Sequence, residues 1–350
     1  YSMPLLESVP NISIVSALCS KYPSLSFSAV EPDSKFYPIS DLQEAFSLAL
    51  EDHSILNYYP SDMGYLPLRE WISEWMVSEK IAPKTISAKN ILLTHGAAEA
   101  INSVTELFLD NASVVAVEDA SYVEALMNFR KQGALCLGVA MDEDGIIPES
   151  LESVCAANNV TMLYTIPCFQ NPTGRTTSLA RRKSILDICQ RYGVVILEDD
   201  PYRYLNYGSP LPDTYFAMSD GHDVIYCSSF SKIIAPGIRL GWLALPDDLV
   251  DRFELFQICN GLIQQPVTHK AAHIYLERHD FASRVNFLTS EYAQRRDFLV
   301  GEIVSALAPL GMKVNRPSGG FFLWGAIDGI DDMFAFVRHS IVYHGIAIVP

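Results

Sequence analysis

The amino-acid sequence predicts an α/β protein with a large domain, built on a mostly parallel sheet, and a small α+β domain. Short apolar runs rich in β-branched residues alternate with longer amphipathic stretches through the middle of the chain. Such runs are typical of strands buried on both faces, and their alternation with helices is typical of parallel sheets. From about Asp251, long helical patterns and scattered short strands replace this alternation, which indicates a second domain.

The individual strands and helices follow from the apolar patterns in chain order. The predicted strands of the sheet are Asn90–Thr94, Ser113–Val117, Met162–Ile166, Val194–Leu197 and Val224–Cys227. Apolar spacing predicts helices between them at Ala98–Leu109 and Ser178–Tyr192. Later patterns predict helices over 251–278 and 281–308, and strands at Met312–Val314, Gly320–Trp324 and Ile346–Val349. We therefore predict an N-terminal segment over 1–45 that joins the small domain, a large domain over 46–255 and a small domain over 256–350.

Composition narrows the class of protein. The formal net charge of −16 argues against non-specific nucleic-acid binding, which requires clustered Lys and Arg. Seven scattered cysteines without a CxxC pair favour reduced thiols in the cytoplasm over a disulfide framework or a zinc site. The first residues show no basic region followed by an apolar core, and no apolar run reaches the ~18 residues of a membrane span. We therefore expect a cytoplasmic protein with no signal peptide, no membrane contact and no metal.

Two strand ends carry residues suited to covalent and acid–base chemistry. In open parallel sheets, ligands bind beyond the carboxyl ends of the strands. Ser229, Lys232 and Arg239 follow the strand at Val224–Cys227, and Asp199 and Tyr202 follow the strand before it. A lone lysine is usually a solvated surface residue, and an acidic turn is usually a helix cap. Together, however, they offer an amine nucleophile beside a carboxylate that can keep a pyridinium nitrogen protonated.

Three other strand ends carry residues that suit the remainder of a flat, phosphorylated cofactor. Asn171 lies in an Asn-Pro-Thr-Gly turn after Met162–Ile166. The residues Gly96, Ala97 and Ala98 begin a helix after Asn90–Thr94, where exposed backbone N–H groups and the helix dipole suit a phosphate. Tyr122 follows Ser113–Val117 and offers an aromatic ring that can stack on a heterocycle.

In their order and spacing, these motifs resemble the aminotransferase class I/II family, which has fold type I of the pyridoxal 5′-phosphate (PLP) enzymes. The matching segments are Asn57–Arg69, Asn171–Gly174, Asp199–Tyr202, Ser229–Lys232 with Arg239, and Pro317–Trp324. Asn171 precedes Asp199 by 28 residues, and the resemblance runs from about residue 25 to the last residue. The pattern is most similar to the aminoadipate/kynurenine aminotransferase branch.

The resemblance implies PLP as the cofactor and a role for each candidate residue. Lys232 would bind the cofactor as a Schiff base and shuttle a proton, while Asp199 would pair with the pyridine nitrogen. The implied contacts to the rest of the cofactor are Asn171 and Tyr202 to O3′, Tyr122 stacked on the ring, and Ser229, Arg239, Gly96, Ala97 and Ala98 around the phosphate. Tyr58 would reach the phosphate of the neighbouring subunit, so a homodimer is expected.

The implied reaction is transfer of an amino group from an L-amino acid to a 2-oxo acid. Other PLP reactions of the family (elimination, replacement, decarboxylation and cyclisation) fit the same residues, as does a PLP-sensing domain of a transcription factor. Two departures concern the ligands: the phosphate loop reads Gly-Ala-Ala where the family has Gly-Ser-Gln, and no arginine precedes Arg69. The second favours a neutral or aromatic substrate over an acidic one. The resemblance also implies further residues after Pro350, so the arginine that binds the substrate α-carboxylate is not identified.

Overall fold

In the computed structural model, residues 11–28, 30–57, 63–260 and 265–350 are described. The helices are α1 (Asn11–Lys21), α2 (Ile39–Glu51), α3 (Leu66–Ser78), α4 (Ala97–Phe108), α5 (Val123–Lys131), α6 (Pro148–Ala157), α7 (Leu179–Tyr192), α8 (Tyr215–Met218), α9 (Val250–Cys259), α10 (Pro266–Arg278), α11 (Phe281–Leu307) and α12 (Met333–His339). The strands are β1 (Leu25–Ser26), β2 (Ile91–Thr94), β3 (Val114–Glu118), β4 (Leu135–Val139), β5 (Met141–Asp142), β6 (Gly145–Ile146), β7 (Val160–Thr165), β8 (Val195–Asp199), β9 (Val224–Ser229), β10 (Gly241–Ala244), β11 (Met312–Val314), β12 (Gly325–Ile327) and β13 (Ile346–Ala347).

A central sheet organises the larger part of the chain. In the described residues it has seven strands in the order β2-β10-β9-β8-β7-β3-β4. All neighbours are parallel except β10, which is antiparallel to both β2 and β9. The predicted mostly parallel α/β fold is therefore confirmed. The carboxyl ends of the parallel strands lie at one edge of the sheet, where ligand sites of open α/β sheets are found.

The strands form because their side chains are apolar on both faces. Every residue of β2, β9 and β10 is buried, and helices α4, α7 and α8 pack on the sheet. Helix α7 begins where the Ser178 hydroxyl accepts a hydrogen bond from the backbone N–H of Arg181, and it ends at Gly193 in the left-handed conformation. Trp242 of β10 is fully buried and packs against Trp75 and Phe230.

The chain divides into two compact units. The larger comprises residues 32–296 and 316–323, and the smaller comprises 1–31, 297–315 and 324–350. In the smaller unit, β1 pairs with β13 in parallel and β11 pairs with β12 antiparallel, and Val15, Val337, Ile341 and Ala347 form its core. The domain boundaries near residues 45 and 255 stay a prediction; the compact units instead place 32–45 and 256–296 in the larger one.

The five predicted sheet strands lie within two residues of their predicted ends. The predicted strand at Gly320–Trp324 is wrong, because the strand of this region is β12. Gly320 has φ +70°, a backbone conformation that favours glycine. A Cβ at this position would lie 2.6 Å from the Cβ of Phe169, so the backbone of this segment passes close to Phe169. The helical pattern over 251–278 comprises two helices, of which the second begins at Gln265-Pro266. Among the described residues, no helix is both long and apolar enough to span a membrane.

Candidate active site

The candidate residues gather at the carboxyl edge of the sheet. Asp199 is the last residue of β8, and Lys232 ends the short turn that follows β9. These two strands are neighbours, with Asp199 opposite Cys227. The Lys232 ammonium is close enough to lower the pKa of Asp199. The structure thus brings together the proposed amine nucleophile and the proposed partner of the pyridine nitrogen.

Asp199 is a buried carboxyl group with one oxygen engaged and one available. Its side chain is 2% exposed, and its Oδ2 accepts a hydrogen bond of 2.8 Å from the Tyr164 hydroxyl. Its Oδ1 is buried and has no hydrogen-bond partner within the described structure. Burial raises the pKa of Asp199 to about 7, although the bond from Tyr164 opposes this effect. A buried acceptor without a partner is costly, so the site fits a ligand that brings an N–H donor, as a pyridinium does.

The turn after β9 presents Lys232. Phe230–Lys232 form one helical turn, which begins where Ser229 Oγ accepts a hydrogen bond of 3.1 Å from the Ser231 N–H. Ser229 Oγ is also 3.0 Å from the Leu240 carbonyl oxygen. The Ser229 hydroxyl therefore has an internal acceptor, which it must leave in order to donate to a phosphate. Lys232 is half-buried.

Asn171 and Tyr202 lie together, as the predicted contacts to O3′ require. Tyr202 is 5% exposed, and burial raises its pKa well above the usual value, while a hydrogen bond with the Asn171 side chain acts in the opposite direction. Phe321 and Phe322 meet the Tyr202 ring edge-on at 6.2 and 5.3 Å between ring centroids. These aromatic contacts fix the orientation of the Tyr202 ring.

Tyr122 stands at the start of α5. Burial raises its pKa above the usual value, and the negative charges of Glu124 and Asp199 act in the same direction. The Arg239 guanidinium lowers it. The Tyr122 phenol therefore interacts electrostatically with both Asp199 and Arg239, and its stacking on a cofactor ring stays a prediction.

The predicted phosphate site combines a helix start with a guanidinium group. Gly96 has φ +84° and directly precedes Ala97 and Ala98, the first residues of α4. Arg239 Nη2 donates a hydrogen bond of 2.6 Å to the His95 carbonyl oxygen, and a Cβ on Gly96 would lie 3.1 Å from the same nitrogen. Backbone N–H groups of a helix start beside a cation form a suitable anion site.

A second buried carboxyl group, Glu118, links two strand ends of the site. It ends β3 and accepts hydrogen bonds from Thr165 Oγ1 (2.6 Å), the Ile166 N–H (3.1 Å) and Gln170 Nε2 (2.8 Å). Gln170 Oε1 in turn accepts bonds from the Thr173 N–H and hydroxyl at 2.9 and 2.7 Å. This network supports the turn that carries Asn171. Burial raises the pKa of Glu118 to about 7.

Sequence reasoning missed the roles of Tyr164, Glu118 and Gln170. Tyr164 was counted among the apolar residues of a strand, although a buried tyrosine hydroxyl usually requires a partner. This requirement is the sequence signal that indicates a polar partner for Tyr164. Tyr58 lies outside the described residues, so the predicted contact with a second subunit stays a prediction.

Three comparisons with known proteins agree on the family. The family model for aminotransferase class I and II matches residues 23–350. The chain is 29% identical over 331 residues to aromatic-amino-acid aminotransferase 1 of Thermococcus litoralis, covering 91% of this chain and 77% of that one. It is 31% identical over 306 residues to 2-aminoadipate transaminase of Thermus thermophilus, covering 86% and 74%.

A solved structure with the same architecture is the Pyrococcus horikoshii kynurenine aminotransferase in complex with PMP, with KYN as substrates and KYA as products. The TM-score is 0.91 at 27% identity, and the match covers 100% of this chain and 87% of that one. The family match spans nearly the whole chain. The chain therefore belongs to the aminotransferase class I and II family, as a PLP-dependent aminotransferase of fold type I.

Proposed function

We propose that this chain moves the amino group of a neutral or aromatic L-amino acid to a 2-oxo acid, with Lys232 as the covalent anchor of the cofactor. The observation that carries the proposal is the pair of neighbouring strand ends that present Lys232 and the partnerless oxygen of Asp199. Bound PLP supplies a ring that withdraws electrons from the α-carbon of the substrate. The protein residues hold this ring and move the proton.

Asp199 and Lys232 have complementary tasks in the proposal. Asp199 Oδ1 accepts the hydrogen bond of the protonated ring nitrogen, and the resulting charge pair keeps that nitrogen protonated. With PLP bound, the Lys232 amine would take a proton from the substrate α-carbon and return it on the cofactor side. Its position on a turn fixed by Ser229 holds it at one place during both transfers.

The remaining candidate residues are proposed to bind the cofactor and to fix its orientation. Asn171 and Tyr202 hold the ring oxygen, and Tyr122 covers one face of the ring. Arg239 and the backbone N–H groups of Ala97 and Ala98 hold the phosphate. Backbone donors take the place of the side-chain donors that the Gly-Ser-Gln loop of the family provides, and backbone N–H groups are sufficient for binding anions.

The substrate class rests on charge. Among residues 1–68 the cationic side chains are Lys21 and Lys35 and there is no arginine, so this stretch offers no guanidinium to an acidic substrate side chain. Of the two relatives described above, the aromatic-amino-acid aminotransferase supports this choice, whereas the 2-aminoadipate transaminase supports an acidic substrate. A panel of L-amino acids offered to the purified enzyme tests this point, and a strong preference for acidic donors would reverse it.

We further propose that the enzyme is a cytoplasmic homodimer in which Tyr58 of each subunit reaches the phosphate site of the other. The typical family assembly supports the dimer. The seven cysteines, all in the described part of the chain, are free thiols, and this supports a reducing compartment. Sedimentation of the holoenzyme should give the mass of two chains; the mass of one chain would contradict the shared site.

Substitution of Lys232 by Ala tests the central assignment. The variant should lose the visible absorbance of lysine-bound PLP, and turnover should fall by at least about 10²–10⁴-fold because the proton carrier is removed. Lys183→Ala, on the exposed side of α7, is the matched control and should behave as wild type. The wild-type holoenzyme, given an L-amino acid without an oxo acid, should release a 2-oxo acid and retain the amino group on its cofactor. Unchanged turnover in Lys232→Ala would refute the assignment, and product formation without transfer of the amino group would indicate lyase or replacement chemistry.

A further inference from the structure

We propose that Tyr164 is a positioning residue of the active site: its hydroxyl holds one oxygen of Asp199 so that the other oxygen faces the cofactor nitrogen. This inference rests on the proposed function, since it assigns a supporting partner to the carboxylate of that site. Tyr164 itself is placed behind Asp199 and is not assigned a contact with the cofactor or the substrate.

The sheet register brings the two side chains together. Tyr164 in β7 is paired with Leu197 in the neighbouring parallel strand β8, and Asp199 follows two residues later. Residues two apart in a strand point to the same face, so the Tyr164 ring extends along that face toward Asp199. The Tyr164 hydroxyl and Asp199 Oδ2 are 2.8 Å apart, and Tyr164 is fully buried. The Phe129 ring, at 5.4 Å between centroids and 69° to the Tyr164 ring, supports this position.

The hydrogen bond from Tyr164 restricts rotation of the Asp199 carboxyl group. With Oδ2 held by Tyr164, Oδ1 is the oxygen that has no partner within the described structure. Turning the Asp199 carboxyl group would break a charge-assisted hydrogen bond inside the protein, where such bonds are strong. Asp199 therefore presents a fixed acceptor before the cofactor arrives.

The surroundings explain why Asp199 needs this support. Burial raises its pKa, and the Tyr164 bond is the main opposing influence, ahead of the Lys232 charge. Among the described residues, the titratable groups that interact electrostatically with Asp199 are Tyr164, Glu118, Tyr122, Asp200, Tyr202, Cys227 and Lys232. Lys232 is the cation in this set, and it is the group that the proposed function uses for attachment. The Tyr164 hydroxyl is a second donor that stays in place and favours the ionised form of Asp199.

Another buried tyrosine offers a matched comparison. Tyr215, in α8, is fully buried like Tyr164, but its hydroxyl has no hydrogen-bond partner in the part of the chain that the structure describes. Substitution of either tyrosine by Phe removes one oxygen from the protein interior. Only Tyr164→Phe removes a donor to Asp199.

The experiment measures PLP affinity of the apo-protein from about pH 6 to about pH 9 in Tyr164→Phe, Tyr215→Phe and wild type. Loss of a hydrogen bond to a charged group should weaken binding by about 10- to 100-fold at the acidic end in Tyr164→Phe. The difference in PLP affinity between Tyr164→Phe and wild type should become smaller at high pH, because Asp199 is then ionised in both proteins before the cofactor binds. Tyr215→Phe should bind as wild type throughout. Tyr164→His, which keeps a donor, should recover part of the affinity.

Two outcomes separate this inference from the function on which it rests. In an Asp199→Ala background, Tyr164→Phe should have no further effect on PLP affinity, because the two residues act as one unit. If Asp199→Ala binds PLP weakly while Tyr164→Phe matches Tyr215→Phe at every pH, the role of Tyr164 is refuted and the function stands. If Asp199→Ala binds PLP like wild type, the assignment of Asp199 itself is wrong.

Discussion

At Gly96, backbone conformation and anion binding meet in one residue. Its φ of +84° and ψ of 172° belong to a region that only glycine readily adopts. A Cβ on Gly96 would lie 3.1 Å from Arg239 Nη2, which is closer than ordinary van der Waals contact. A side chain here would strain the turn and also press against the Arg239 guanidinium, which we propose as a phosphate ligand.

Gly96→Ala should therefore lower the free energy of unfolding by about 1–3 kcal/mol and weaken PLP binding as well. Gly193→Ala is the control, since Gly193 also has a positive φ (+67°) but no described atom lies within 4 Å of its Cβ position. The control should lose some stability and keep its PLP affinity. Thermal unfolding and PLP titration of both variants measure the two effects. Equal PLP affinities in the two variants would show that a side chain at position 96 does not disturb the proposed phosphate site.

The ends of β3 and β7 are joined to the cofactor turn by Gln170. Its Nε2 donates to Glu118 Oε2 at 2.8 Å and to the Ala120 carbonyl oxygen at 2.6 Å, while its Oε1 accepts from Thr173. All of these groups are buried or partly buried, so their bonds cannot be replaced by water without local opening. The turn that presents Asn171 is thereby tied to two strands.

Gln170→Ala should destabilise the protein by about 1–3 kcal/mol, because polar partners are left buried and unsatisfied. It should also weaken PLP binding, since Asn171 loses its support. Gln190→Ala, at an exposed position of α7, is the control and should change neither quantity. Chemical denaturation and PLP titration provide the comparison. A Gln170→Ala protein with wild-type PLP affinity would show that the Asn171 turn holds its shape alone.

The elements of the sheet were predictable to the extent that their patterns are local. Continuous apolar runs such as Ile91–Thr94 and Val224–Ser229 are buried on both faces, and this burial is what the pattern encodes. The strand β10 was missed because it follows Arg239 closely and its residues were assigned to the cofactor motif. The bend at Gly319–Gly320 depends on contact with Phe169, which is distant in sequence and leaves no local signal. For the same reason, the partners of Asp199 and Gln170 could not be derived from spacing.

On the scale of the whole molecule, the described residues of the larger unit include four buried carboxyl groups at or near the sheet edge, which are Glu118, Glu198, Asp199 and Asp200. Burial raises the pKa of Glu118, Glu198 and Asp199 to about 7 in each case, and for Glu198 this holds despite the Arg182 guanidinium at 3.6 Å. A carboxyl group with a raised pKa keeps a proton in the folded state that the unfolded chain has already released. The stabilisation is complete below the ordinary carboxyl pKa of about 4 and is lost as the pH rises through the folded-state value.

The apo-protein should therefore become less stable as the pH rises from about 5 to about 7.5. Denaturant unfolding at a series of pH values measures the slope. Repulsion among the exposed charges of this acidic chain acts in the same direction, but salt screens exposed charges far more than buried ones. The slope should thus persist in high salt. Stability that stays constant or rises over this range would show that these groups are ionised in the folded apo-protein.

The antiparallel direction of β10 affects the spacing of the residues that are proposed to bind the cofactor. Because β10 runs opposite to its neighbours, it starts at the edge where β9 ends, and Gly241 is paired with Ser229. A single hairpin connection therefore carries both Lys232, the proposed covalent anchor of PLP, and Arg239, the proposed phosphate ligand. The pairing of β9 with β10 therefore sets the distance between these two proposed cofactor-binding side chains. A slip of one residue in that pairing would shift one of them by about 3.3 Å and turn it to the opposite face, so the strand register is itself a determinant of cofactor fit.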